Sequence, residues 1–152
     1  MSVESVKQFF STNNLDYHIY ELAESTATVE LAAKAHNVEP AMIAKSMALR
    51  LKDKYIIIVT AGDAKLDNKK FKIAFNEKII FVKMDDVLDI TGHPVGGVCP
   101  FGLKCNFDIF LDDSLKRFDY IYPAAGSGNT SIKIKPDDLR DITNATWISV
   151  SK

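Results

Sequence analysis

Apolar residues recur along the chain at two spacings, and the switch between them marks out its elements. Val3, Val6, Phe9 and Phe10 fall three or four apart and are followed by Asn13-Asn14, which predicts an amphipathic helix over 3–13 with its stop. Asp16 to Glu21 alternates polar and apolar, the pattern of a half-buried strand. After a loop over 23–27, Thr28 is placed to cap a helix that carries Glu30 in its first turn and runs to Asn37. Pro40 suits the first turn of a second helix carrying Met42 and Ile43. Residues 47–51 and 55–61 flank the polar Lys52-Asp53-Lys54 and predict a hairpin. Because Tyr55 to Val59 is apolar at every position, that strand is expected to be covered on both faces, at the centre of the sheet.

Further on, Asp67 is expected to cap a helix through Phe75, followed by a strand over 78–82 and a single helical turn at 85–88. Strands are expected near 107–111, 120–122, 131–134 and 147–150, with helical turns near 113–118 and 136–142. No repeat or Pro/Gly/Ser-rich linker divides the chain, so residues 1–152 are read as one domain. The pattern predicts an α+β fold around one mixed sheet.

Composition narrows the function classes. The 152 residues are 47% hydrophobic and 26% charged, enough for one core without staples. A net charge of −1 argues against a generally basic nucleic-acid binder. The longest apolar run is far short of a membrane span, and the N-terminus lacks the pattern of a signal peptide. A cytoplasmic protein is expected. The two cysteines, Cys99 and Cys105, form no CxxC and are expected as reduced thiols.

Few residues offer chemistry. If extended structure starts at Lys45, its side chain shares the inward face with Met47, Leu49 and Leu51, where a desolvated ammonium would hold a phosphate or carboxylate. A lysine near a helix C-terminus, exposed and favourable with the helix dipole, fits the same pattern. The segment Thr91 to Gly102 holds four glycines and two prolines in twelve residues, and consecutive amides at Gly96, Gly97 and Val98 could converge on an oxyanion. A purely structural loop is the other reading. His93 lies in that loop and is the histidine best placed to move a proton or line a pocket. His93, Cys99 and Cys105 match no zinc-ligand spacing, so no metal is expected. Lys65, Lys69 and Lys70 cluster at a helix start, as an RNA-phosphate patch or as a solvated face.

Five spaced segments, Ser25-Thr26-Ala27-Thr28-Val29-Glu30, Ile43-Ala44-Lys45-Ser46, Gly62-Asp63-Ala64-Lys65-Leu66-Asp67, the loop from Thr91 to Gly102, and Ala125-Gly126-Ser127-Gly128, resemble the YbaK/EbsC family. These are free-standing relatives of the prolyl-tRNA synthetase editing domain. The resemblance spans nearly the whole chain and implies a curved mixed, partly barrel-like sheet flanked by helices. It implies an aminoacyl-tRNA deacylase acting in trans on a small mischarged amino acid: cysteine, alanine, serine or threonine. Lys45 matches the family's essential lysine. Gly92 through Phe101, including Pro100, match the loop shaping the amino-acid pocket, and Gly126 with Ser127 match the opposite wall; Thr28 and Ser46 complete the expected substrate-binding set.

On this reading no cofactor is needed, because an aminoacyl ester is already activated and requires mainly a placed water, an oxyanion site and a bound adenosine. The expected partners are the acceptor end of aminoacyl-tRNA and an aminoacyl-tRNA synthetase, with neither DNA nor a membrane. The competing reading is a non-catalytic module that binds a nucleotide or an RNA 3′ end.

Overall fold

A computed structural model describes residues 2–152. In chain order the elements are α1 (Ser2–Thr12), β1 (Tyr20–Glu21), α2 (Val29–His36), β2 (Ile43–Arg50), β3 (Tyr55–Ala61) and α3 (Asn68–Phe75). They continue with α4 (Met84–Thr91), β4 (Asp108–Asp112), β5 (Tyr122–Pro123), β6 (Thr130–Ser131), α5 (Pro136–Thr143) and β7 (Thr146–Ile148). A five-stranded mixed sheet runs in the order β5-β2-β3-β4-β7, and β1 pairs with β6 as a separate two-stranded sheet. The bridge between Ala124 and Ser131 ties the small sheet to the edge of the large one. The fold is α+β, with helices flanking a mixed sheet.

The uninterrupted apolar run becomes the middle strand, as its composition requires. Ile57, Val59 and Ala61 enter one core with Val6 and Phe10 of α1, Phe101 and Leu139 of α5. Ile56 and Ile58 point the other way, into a second core with Leu49, Leu51 and Phe71 of α3. All four residues from Ile56 to Val59 are fully buried, each worth about 1.5–3 kcal/mol by leaving water. A third cluster sets Ala32 and Ala33 of α2 against Ile43 of β2.

Helix boundaries follow local chemistry. Thr28 accepts a hydrogen bond from the Leu31 amide, and Asp67 from the Lys70 amide, capping α2 and α3. Asn37, Asn76 and Asn144 end α2, α3 and α5 in the left-handed region, and Gly92 ends α4 at φ 82°.

Several expected elements differ. Pro40 opens only a single 3-10 turn, Pro40–Met42, because Ile43 already pairs with Tyr122 across the sheet. Residues 16–19 are irregular, leaving a strand only at Tyr20–Glu21. The stretch 78–82 forms no strand; it touches β2 through one bridge, Leu49 to Phe81, with hydrogen bonds from Arg50 N to Ile80 O and Val82 N to Ala48 O. The turn expected at 85–88 is the eight-residue helix α4. Alternation identified apolar segments correctly but could not say which ones found a partner edge.

Candidate active site

The outer edge of β2 is covered at both ends and open in the middle. β5 pairs with it at Ile43 and Ala44, and the irregular stretch 80–82 bonds to Ala48 and Arg50. At residues 45–47 the edge faces a cavity of about 270 Å³, roughly nine waters' worth of liquid volume. Its walls come from β2, the start of α2, the beginning of α4, Val95, Gly96 and Val98 of the glycine loop, and residues of β5 and β6. It is the gap between two partial strand partners.

Lys45 lines this cavity from within β2, where it pairs with Thr60 of β3. Its neighbours on the same face, Met47 and Leu49, pack into the second core, so the lysine stem rests on apolar surface. The ammonium donates to Ala64 O at 2.6 Å, which fixes its position and leaves further N–H groups for a ligand. Burial pushes its pKa below the usual lysine value; Asp63 opposes that shift and Lys65 adds to it. Asp63 is itself held by Arg117, at 3.0 and 2.5 Å, and that hydrogen bonding keeps its carboxyl below the ordinary range. Lys45 is therefore the one charged side chain on the cavity wall, and no carboxylate lines it among the described residues.

The glycine loop divides into residues that face the cavity and residues that do not. Gly96 and Val98 line it, with Gly96 at φ 89° and packed so closely on Ala27 that a Cβ would come within 2.8 Å of the Ala27 side chain. The Gly97 amide donates to Pro94 O and its carbonyl accepts from Gly126 N, so this peptide is engaged in holding two loops together. A Cβ on Gly97 would sit 2.6 Å from Ser127 N. Of the expected trio, Gly96 and Val98 line the cavity and Gly97 does not.

The remaining predicted residues are distributed by the fold. Thr28 and Ser46 line the cavity; the Thr28 hydroxyl caps α2, and the Ser46 hydroxyl is buried without a hydrogen-bond partner. Gly92, His93, Pro100, Phe101, Gly126 and Ser127 lie outside its lining. His93 is fully buried, its Nδ1 at 2.5 Å from Ser2 Oγ and its Nε2 at 2.7 Å from Phe101 O. Phe101 is core, packed edge-on to Phe10 at 5.1 Å. Ser127 bonds within its own turn to Asn129 and Thr130. Cys99 is buried with its thiol pushed up to about 12, and Cys105 is exposed. Among the described residues no group of three or more His, Cys, Asp or Glu is placed to hold a metal ion.

Lys65 and Lys69 are exposed, Lys65 one residue beyond the carbonyl that holds Lys45. Lys70 reaches Ser151 O at 2.7 Å. No described helix is long and apolar enough to cross a membrane.

One pair escaped the reading of the sequence. His36, the last residue of α2, places Nε2 at 2.5 Å from Ser131 Oγ, and Ser131 lines the cavity. The signal was present: His36 lies one turn beyond Ala32, which lines the same cavity, so both lie on one face of α2. Its partner on β6 is 95 residues away and no local pattern announces it.

The family model of the aminoacyl-tRNA editing domain matches residues 23–142. The chain belongs to that family. Among relatives of this editing domain, YwhH of Bacillus subtilis (strain 168), itself uncharacterized, is 44% identical over 154 residues, spanning 100% of this chain and 98% of YwhH. EbsC of Enterococcus faecalis, whose name carries Cys-tRNA(Pro)/Cys-tRNA(Cys) deacylation as an unproven activity, is 26% identical, covering 91% of this chain and 87% of EbsC. The proline–tRNA ligase of Bacillus licheniformis is 30% identical over 81% of this chain, a match to 22% of the ligase. The same fold occurs in the crystal structure of a proposed trans-editing enzyme for prolyl-tRNA synthetase, with TM-score 0.92 and 24% identity over 99% of this chain and 97% of the other.

Proposed function

We propose that this editing-domain protein is a trans-acting aminoacyl-tRNA deacylase, which hydrolyses the ester joining a small mischarged amino acid to the 3′-terminal adenosine of tRNA. The observation that carries this reading is the half-buried Lys45 on the wall of a small cavity that Gly96 and Val98 of the glycine loop also line. A cation beside a glycine-loop backbone that can offer N–H groups suits a reaction that builds negative charge on oxygen.

In this reading Lys45 meets the phosphate or carbonyl side of the terminal nucleotide, and the Gly96 and Val98 amides receive the tetrahedral oxyanion. Water attacks the ester carbonyl, the carbon–oxygen bond to the ribose breaks, and the neighbouring ribose hydroxyl relays the proton to the leaving oxygen. No strong protein base is then required. The cavity's volume, about 270 Å³, supports a small aminoacyl group, in the class of cysteine, alanine, serine or threonine. In the same reading the exposed Lys65, one residue beyond the carbonyl that holds Lys45, and the exposed Lys69 meet phosphates of the acceptor end. The similarity to a domain of proline–tRNA ligases supports a synthetase as a working partner.

The test is release of labelled amino acid from Cys-, Ala-, Ser- and Thr-tRNA by wild type and Lys45→Ala. Turnover of at least one substrate by wild type, lost in the folded variant, is expected. Tight binding of the acceptor end with no turnover of any would identify a non-catalytic module instead.

A further inference from the structure

An aminoacyl ester carries an α-amino group, and the cavity must hold it without a carboxylate. We propose that Ser131 Oγ, with His36 taking its hydroxyl proton, is the acceptor for the substrate's α-ammonium group. The inference rests on the deacylase reading and adds to it a recognition element that neither the lysine nor the glycine loop supplies.

Register places the two ends of the cavity. Ile43 of β2 pairs with Tyr122 of β5, so Lys45 and Ala124, each two residues on, keep the face of that pair although the pairing itself ends at Ala44 and Pro123. Ala124 in turn bridges Ser131. Paired residues in a sheet project from the same face, so Lys45 and Ser131 share one face with β5 between them, about two strand spacings, or roughly 10 Å, apart. An ester bound along that face would set its phosphate side against the lysine and its amino group at Ser131. The opposite orientation would set ammonium against ammonium.

The hydrogen bonding at Ser131 suits a cation. A serine hydroxyl has one proton and two lone pairs, and it serves an ammonium best when the proton points elsewhere. The His36 ring nitrogen, at 2.5 Å, is that destination. Burial holds the imidazole pKa below its usual value, which favours the neutral ring, and in the tautomer with its proton on Nδ1 the Nε2 lone pair accepts from Ser131. The ring is clamped between the face of Tyr122, with centroids 4.6 Å apart, and the edge of Tyr20 at 5.8 Å. Such clamping fixes the direction in which Ser131 presents its lone pairs.

Other hydroxyls on the wall are less suited. Thr28 Oγ1 accepts the Leu31 amide, and Thr130 Oγ1 accepts the Ser127 amide. Thr26 also sends its proton away, but to Gly128 O at 3.2 Å, a looser hold than the 2.5 Å between Ser131 and His36, which makes it the competing acceptor on this wall. Ser46 also lines the cavity, but from the face of β2 opposite Lys45, so it does not share the Lys45 face on which Ser131 lies.

The experiment compares kcat/KM for the best substrate among Cys-, Ala-, Ser- and Thr-tRNA with that for its N-acetylated form, which keeps the ester and loses the charge. Wild type is expected to prefer the free amino form by roughly ten- to hundredfold, the size of a hydrogen bond to a charged group. Ser131→Ala and His36→Ala should bring that ratio close to one, whereas Ser131→Thr and His36→Gln, which keep the hydroxyl and the proton acceptor, should retain most of it. Damage to the fold lowers both rates together and leaves the ratio where it was. An unchanged ratio in folded Ser131→Ala, or its collapse in Thr26→Val instead, would overturn the proposal while leaving deacylation intact. A wild type inactive on all four tRNAs would remove the deacylase reading and this inference with it.

Discussion

His93 and Lys45 are the two side chains that the sequence offers most readily for chemistry, and the fold treats them in opposite ways. His93 sits at the base of the glycine loop with no exposed surface, each ring nitrogen against a protein oxygen. Lys45 is only half withdrawn from solvent, fixed by a single carbonyl at 2.6 Å, with capacity left over on a cavity wall. The same distinction separates Gly97, whose peptide joins two loops, from its neighbours Gly96 and Val98 on the lining. A polar group with all its valences met builds structure; one with a valence left open beside a cavity is available to a ligand.

The largest expected effect tests the Lys45 side of that contrast. Lys45→Ala should lower deacylation by roughly two to three orders of magnitude, as loss of a preorganised charge contact does, with the thermal midpoint nearly unchanged. Rates and melting curves on the same preparation check both halves.

His93→Ala should do the reverse. It leaves Phe101 O without its buried partner and opens a void beneath the loop, at a cost of about 2–4 kcal/mol in urea unfolding. Specific activity per folded molecule should stay within a few-fold of wild type. A drop as severe as that of Lys45→Ala, without destabilisation, would abolish the comparison.

Acid should reveal the buried His93 and the half-buried His36. Burial is the chief reason that both His36 and His93 lie below their ordinary pKa of 6.5. The unfolded chain therefore binds more protons than the folded one once the pH falls through 6.5, and stability declines from there towards the folded values. Urea midpoints measured at descending pH should fall, and less steeply in His36→Gln than in wild type.

The smallest effect concerns RNA. Replacing Lys65 and Lys69 by Ala should weaken tRNA binding several-fold and reduce the salt slope of log K by up to about two. Binding titrations at several salt concentrations would measure it; an unchanged slope would make both lysines a solvated face.

Much of the architecture was readable from local pattern. The apolar run at Ile56 to Val59 announced a central strand, Thr28 and Asp67 announced helix starts, and the hairpin turn at Lys52 to Lys54 announced antiparallel pairing. Segments 16–19 and 78–82 carry strand-like alternation yet lack a full partner, which only the assembled sheet reveals. At the site, the alternation rule was enough to put Lys45 on the face of Met47 and Leu49. The misplacement of His93 has a simple cause: a glycine-rich loop has two sides, and no local spacing says which one faces a cavity.

Sequence alone determined what depends on neighbours a few residues apart: which stretch buries both faces, where α2 and α3 are capped, and that Lys45 shares a face with Met47 and Leu49 once extended structure reaches it. Tertiary structure decided what depends on distant partners. It left the β2 edge open between two incomplete neighbours, turned His93 inward, and brought His36 to Ser131 across 95 residues. The physical reason is that backbone preference and side-chain alternation act over a few residues, whereas a cavity exists only where separate segments fail to meet.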